Sequence, residues 1–307
     1  MKKQIPTGVW PTMITPFTES NEIDYAALER LINWYIGHGV DGLFAVCQSS
    51  EMFFLSLEER VQLARFVKEK AAGRVPVIAS GHIADSYEDQ AQELKAMADT
   101  GIDALVLITN RLALEGEMDD TWKLNLDNLL KEIPQELPLG FYECPSPYKR
   151  IISPEALKWC AETGRFLFLK DTSCDTHNMK MKLEAVQGTG LHIYNANTAT
   201  LLETLKLGVT GYSGVMANFH PELYVWLMKY GEEKPEEAEN LISFLSMASL
   251  IEKQLYPVNA KYYLMLEGVL TNYHCRSKNH EAFTATNRLE VEQLHRLSQT
   301  VAKSYII

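Results

Sequence analysis

The segment FLFLKD, residues 166–171, drives an apolar, strand-like run straight into a lysine. A lysine at the end of such a strand must reach water, pair with a carboxylate, or stay neutral and react. A second segment, LGFY at 139–142, ends in a tyrosine in the same way. If the two are neighbouring strands, their period of two sets Lys170, Phe168 and Phe166 on one face, with Tyr142 about 5 Å to the side. Gly140, one inward position below Tyr142, then leaves room for Phe168. Burial disfavours a charged amine and lowers its pKa. A neutral amine attacks a carbonyl to form a Schiff base, and an adjacent tyrosine hydroxyl moves the protons. The same residues also fit a lysine salt-bridged to Asp171 or another acid at the strand ends, and both readings stand at this point.

The surrounding sequence predicts how these strands are held. GVDGLFAV from Gly39, GIDALVLI from Gly101 and GVTGYSGV from Gly208 each follow a helical pattern and run into an apolar, strand-like segment. Asp24 caps the first helix, and Ser56 with Glu59 has capping-box spacing before a helix reaching Ala72. Asp85 with Glu88 has the same spacing before a helix reaching Thr100. Ser153 precedes a proline suited to a first helical turn. Strand-like runs fall near 8–15, 41–46, 75–80, 103–108, 138–142, 166–170, 191–195 and 210–215, with helical patterns between them. This alternation predicts a parallel sheet with right-handed crossovers, and eight units in about 220 residues suit a (β/α)8 TIM barrel over 1–220. Beyond Pro221 the patterns near 221–231, 236–254, 258–270 and 289–303 are all helical. They predict a C-terminal helical extension, 221–307, packed on the barrel.

Barrel chemistry collects at the C-terminal ends of strands. Those ends hold Cys47-Gln48-Ser49-Ser50-Glu51, Gly81-His82, Thr109-Asn110-Arg111, Tyr142-Glu143, Lys170-Asp171, Asn195 and Ser213. Other chemistries fit less well. A formal net charge of −11 without a Lys/Arg-rich run argues against nucleic-acid binding. The start, MKKQIPTGVWPTMITPF, reads as neither secretory signal nor anchor, and no run of 18 apolar residues predicts a membrane span. Five scattered cysteines without a CxxC pair suit reduced thiols and a cytoplasmic protein. His274, Cys275 and His280 match no standard metal spacing, so no metal is expected. Glu51 and Glu143 as a glycosidase pair would leave the lysine and tyrosine unexplained; Glu51 is expected to bond backbone in its own loop.

Several motifs together resemble the dihydrodipicolinate synthase / N-acetylneuraminate lyase family of class I, Schiff-base-forming aldolases. GVWPTMITPF looks like the family's first strand, and GLFAVCQSSEMFFLSLEER resembles its G-T-T-G-E segment. LGFYECP looks like the strand with the catalytic tyrosine, FLFLKDTSCD like the lysine strand, and GVTGYSGVMANFHPE like the eighth strand. The resemblance implies Lys170 as the imine-forming lysine and Tyr142 as the general acid/base. It implies Gln48 and Ser49 as the pair holding the 2-oxo acid carboxylate, with only Ser49 keeping a hydroxyl. Cofactors are then none, the covalent imine serving instead, and a homo-oligomer, tetramer or dimer, is implied.

Departures from the pattern bear on the substrate. Cys47 and Ser50 replace glycines, where a backbone of positive φ would be altered. The asparagine after the tyrosine is Glu143, expected to meet substrate hydroxyls or to pair with Lys149 or Arg150. Ser213 is a further substrate-binding candidate, and Asn195 and Asn197 replace parts of a glycine- and acid-containing segment. Pro147 stands where true dihydrodipicolinate synthases have an arginine for the second substrate's carboxylate, and Thr109 where they have an interface tyrosine. The expectation is a lyase acting on pyruvate or a 2-keto-3-deoxy sugar acid, not a true dihydrodipicolinate synthase. A dehydratase using the same imine, or a non-catalytic barrel binding a 2-oxo acid, are the alternatives.

Overall fold

The computed structural model describes residues 5–305; residues 1–4, on which the reading of the chain's start partly falls, and 306–307 lie outside them. Eight short strands alternate with helices: β1 (Gly8–Val9), β2 (Leu43–Val46), β3 (Val77–Ser80), β4 (Ala104–Ile108), β5 (Leu139–Tyr142), β6 (Phe166–Asp171), β7 (His192–Asn195) and β8 (Gly211–Tyr212). They form one sheet in the order β1-β8-β7-β6-β5-β4-β3-β2, every neighbour parallel. The curl closes just past β1. Thr12 bridges Phe44, the Met13 N–H donates to the Phe44 carbonyl at 3.0 Å, and the Phe44 N–H donates to the Pro11 carbonyl at 3.1 Å. The architecture is the expected (β/α)8 barrel with added C-terminal helices.

The crossovers are α1 (Tyr25–Gly37), α2 (Leu57–Ala71), α3 (Tyr87–Ala98), α4 (Asp119–Leu130), α5 (Pro154–Glu162), α6 (Thr176–Ala185) and α7 (Leu201–Leu207). Local chemistry starts them. Asp24 Oδ1 accepts the Ala27 N–H at 2.9 Å, and Ser56 and Glu59 bond each other's backbone reciprocally at 3.1 and 2.9 Å. Ser153 caps α5, with Pro154 in its first turn. The cap expected at Asp85 is corrected by one residue. Ser86 Oγ accepts the Asp89 N–H at 3.1 Å, leaving Asp85 to pair with Arg111.

α8 (Pro221–Tyr230) follows β8 and packs against β1, so the first of the C-terminal helical patterns completes the alternation. α9 (Pro235–Ala248), α10 (Val258–Leu266) and α11 (Ala285–Tyr305) follow. The pattern read as helix to 254 instead breaks after Ala248 into a 3-10 turn, Ser249–Lys253. Among the described residues, no helix is long and apolar enough to cross a membrane.

Aromatic rings fill the barrel interior. Phe168 stacks on Tyr194 at 4.3 Å between centroids and lies 5.6 Å from Trp10 and 6.0 Å from Phe44. Phe166 departs from the expected inner face. The β5–β6 register steps from Leu139↔Phe166 to Gly140↔Phe168, so Leu167 is an extra residue and the alternation slips. Phe166 stacks instead on Phe141, whose ring meets Trp122 of α4 on the helix side. Gly140 is where the packing is tightest against the lysine strand: a Cβ there would sit 2.9 Å from the Phe168 Cβ and 3.0 Å from its carbonyl oxygen. Replacing Gly140 by alanine is therefore expected to cost about 1–3 kcal/mol through overpacking, read as a lowered thermal midpoint.

Candidate active site

The ends of β5 and β6 place Tyr142 directly opposite Lys170 in the ladder. Both side chains line a cavity of about 670 Å³ at the C-terminal mouth of the barrel. Lys170 is only 3% exposed. Its Nζ stands 4.6 Å from the Tyr142 ring centroid and 5.9 Å from that of Phe44. Among the described residues it makes no hydrogen bond and no ion pair. Burial lowers its pKa to about 8, partly opposed by Cys47, Cys144 and Glu252. Burial likewise holds the Tyr142 hydroxyl protonated, its pKa well above the ordinary value.

The salt bridge to Asp171 does not form, because the strand turns that carboxylate to the opposite face. Behind the sheet, Lys182 of α6 donates to Asp171 Oδ2 at 2.6 Å and to Glu143 Oε1 at 2.5 Å, all three side chains fully buried. Glu143 also accepts the Ile152 and Thr172 N–H groups, each at 3.0 Å. This corrects both expectations for Glu143. It contacts neither the cavity nor Lys149 or Arg150, since its neighbour Tyr142 takes the inward position. Lys149 donates to the Thr172 carbonyl at 2.8 Å, and Arg150 pairs with Asp119. Burial first, then Asp171, raises the Glu143 carboxyl to about 7.

Gln48 and Ser49 line the cavity from a 3-10 turn, Gln48–Ser50, that follows β2. Ser50 Oγ donates to the Cys47 carbonyl and accepts its N–H at 2.6 and 2.8 Å, closing the turn without glycine. Cys47 is extended (φ −155°), and the left-handed residue of the loop is Glu51 (φ 63°). A non-glycine residue there costs about 1–2 kcal/mol. Glu51 does not bond its own loop, as expected from sequence, but the C-terminal region. It accepts Lys261 Nζ at 2.7 Å and the N–H groups of Arg276 and Ser277 at 2.7 and 2.6 Å. With lysines on both Glu51 and Glu143, and Glu143 behind the sheet, these two acids do not form an opposed pair across the cavity.

Ser213 is a further correction: it is buried, donates to the Trp10 carbonyl at 3.0 Å, and leaves the cavity wall to Gly214 and Val215. Asn195 is likewise spent internally, on Thr200 and Thr204, while Asn197 reaches the cavity. Pro147 lines the cavity; Thr109 is buried, its hydroxyl donating to the Arg150 carbonyl at 2.7 Å. Sequence reasoning missed Glu252, Tyr256 and Pro257, which enter the wall from the break after α9. Helical periodicity gives no signal for them, because their position depends on the helix stopping. Among the described residues, no cluster of three His, Cys, Asp or Glu side chains is placed to hold a metal ion.

Residues 5–296 match the dihydrodipicolinate synthetase family. The chain belongs to that family. It is 29% identical over 267 residues to a 4-hydroxy-tetrahydrodipicolinate synthase of Methanocaldococcus jannaschii, covering 84% of this chain and 88% of the relative. It is 28% identical over 275 residues to one of Clostridium perfringens, covering 87% and 89%. Among solved structures, the chloride-inhibited dihydrodipicolinate synthase of Acinetobacter baumannii complexed with pyruvate superposes with a TM-score of 0.85 at 22% identity, over 96% of this chain and 99% of that one. A prophage protein of the dihydrodipicolinic acid synthase family from E. coli, in complex with pyruvate, gives 0.84 at 22% identity, over 96% and 98%. Membership in the dihydrodipicolinate synthetase family makes the protein a lyase of the carbon–carbon aldolase type.

The buried ion triad behind the sheet generates a stability prediction. Replacing Lys182 by methionine leaves Glu143 and Asp171 buried without a counter-charge, a loss of about 3–5 kcal/mol. Urea unfolding at neutral pH is expected to show it, and Glu143→Gln in the same background is expected to recover part of the loss.

Proposed function

We propose that the protein is a class I lyase that forms an imine between Lys170 and the ketone of a 2-oxo acid, without a cofactor. The observation that carries this reading is an amine buried beside Tyr142 in an open cavity, with no carboxylate bonded to it. The neutral amine adds to the ketone carbon; Tyr142 gives its proton to the carbinolamine hydroxyl, which leaves as water, and a protonated imine and the Tyr142 phenolate remain. That cation draws electrons as the bond between C3 and C4 breaks, giving an enamine and an aldehyde. The Tyr142 phenolate takes the proton from the C4 hydroxyl oxygen as that carbon leaves as the aldehyde and returns it to C3 of the enamine. Water then adds to the imine, gives a proton back to Tyr142, and releases the 2-oxo acid from Lys170. The Gln48–Ser49 turn holds the acid's carboxylate, the Ser49 hydroxyl turning to it from the Thr12 hydroxyl, to which it donates at 3.2 Å.

The substrate is proposed to be a 2-keto-3-deoxy sugar acid or a related hydroxy-oxo acid. The relatives above carry the synthase name. At the position expected to bind that synthase's second substrate this chain has Pro147, which offers no donor, and Thr109 is committed to its own fold. These two residues support a different second half-site.

Borohydride reduction in the presence of pyruvate, followed by peptide mapping, tests the chemistry. A reduced adduct on Lys170, absent in Lys170→Ala, is the expected result; no adduct with pyruvate or with larger 2-oxo acids would sink the reading. With the amine pKa at about 8, roughly one lysine in ten is neutral at pH 7. The trapping rate is therefore expected to climb with pH up to about 8 and level off above it. Tyr142→Phe is expected to lower turnover by about 10²–10⁴-fold while the chain still folds, measured as steady-state kcat beside a circular dichroism melt.

A further inference from the structure

Glu252 is an acid for which the fold itself provides no partner. It projects from the 3-10 turn Ser249–Lys253 into the cavity that Lys170, Tyr142 and Tyr256 also line. The other acids nearby are all committed: Glu51 to Lys261 and two backbone N–H groups, Glu143 and Asp171 to Lys182. Glu252, among the described residues, accepts no hydrogen bond and forms no ion pair. Burial raises its carboxyl to about 7, opposed by Lys170 and then Lys253. A partly desolvated carboxylate gains most from a ligand that supplies donors, because none of the described residues donates to it. Pro257 and Val215 line the same cavity, a proline without an N–H and an apolar side chain.

The charge narrows what the donor is. A second carboxylate would be repelled by Glu252 and would meet Pro147 in place of a cation. Of the cations at the cavity wall, Arg111 pairs with Asp85, Lys149 is turned to the Thr172 carbonyl, and Lys278 lines the wall without an ion pair among the described residues. The acid in the cavity, and not a fixed cation, therefore sets the preference. At about 670 Å³ the cavity has room for a chain well beyond the three carbons of pyruvate. We propose that Glu252 determines specificity for the part of the substrate beyond the imine, accepting hydrogen bonds from chain hydroxyls, so that polyhydroxylated 2-oxo acids are selected over unsubstituted ones. This rests on the imine reading above and assigns that site its substrate class.

The test compares borohydride trapping curves for 2-keto-3-deoxygluconate and for 2-oxohexanoate, which has the same six-carbon chain without hydroxyls. The readout is total adduct on Lys170 by intact mass, in the unsubstituted protein, Glu252→Leu and Glu252→Gln. Removing the charge also alters Lys170, so the ratio of the two half-trapping concentrations is the quantity that matters. In Glu252→Leu the hydroxylated acid is expected to lose at least tenfold relative to 2-oxohexanoate. Glu252→Gln, which keeps one acceptor oxygen and the shape of the side chain, is expected to lose less, and it carries the test if the leucine variant does not fold. An unchanged ratio in both variants, with pyruvate still trapped by the unsubstituted protein, overturns this inference alone. No pyruvate adduct in the unsubstituted protein overturns the imine reading and this inference with it.

Discussion

Lys182 holds two buried carboxylates that the chain places immediately after its two most reactive-looking residues. Glu143 follows Tyr142, and Asp171 follows Lys170. The pleat turns each acid away from the cavity as surely as it turns the tyrosine and lysine into it. Without a counter-charge behind the sheet, two carboxylates would be buried side by side at the ends of adjacent strands. With Lys182 between them, the negative charge is satisfied on the helix side. Lys170 is left on the other side with only weak electrostatic company. Burial lowers the amine pKa, and the acid next to it in sequence, bonded to Lys182, forms no ion pair with it.

A second tie joins the barrel to its C-terminal extension. Glu51 sits in a left-handed backbone conformation that costs free energy, and its carboxylate gathers Lys261 and the N–H groups of Arg276 and Ser277 from more than 200 residues away. The Gln48–Ser49 turn is therefore shaped from two sides, by the Ser50–Cys47 bonds inside it and by the C-terminal region behind it. Arg276 extends the same contact to Glu59 at 2.8 Å, at the N-terminus of α2. The C-terminal helices are structural partners of the cavity loop.

What was legible in the sequence was local or periodic. The Ser56–Glu59 box, the Asp24 cap and the proline after Ser153 need only neighbouring residues. The pairing of Tyr142 with Lys170 and the space at Gly140 follow from strand order and a period of two. The same period failed at Phe166, where one inserted residue moved a ring to the other face, a change invisible in an all-apolar run. Carried one residue further, it turns Glu143 away from the cavity because Tyr142 takes the inward position, against the expectation of substrate hydroxyls or a pair with Lys149 or Arg150. The partner that holds it, Lys182, lies 39 residues on in a helix whose register against the sheet no pattern announces. Glu252 was missed for a related reason, since a charged residue in an apparent helix reads as solvated surface until the helix is seen to stop at Ala248.

The break after α9 separates two properties that are often thought of together. The Tyr142–Lys170 pair is built into β5 and β6, where any change meets the packing of Gly140, Phe168 and the ion triad. Part of the cavity wall comes from a short turn and a proline-bounded segment outside the alternating units, where the Glu252 side chain bonds no other group among the described residues. Sequence drift in that segment re-lines the cavity without disturbing the strands. A single barrel of this design is thus open to divergence in what its cavity accepts, while the Tyr142–Lys170 pair stays the same.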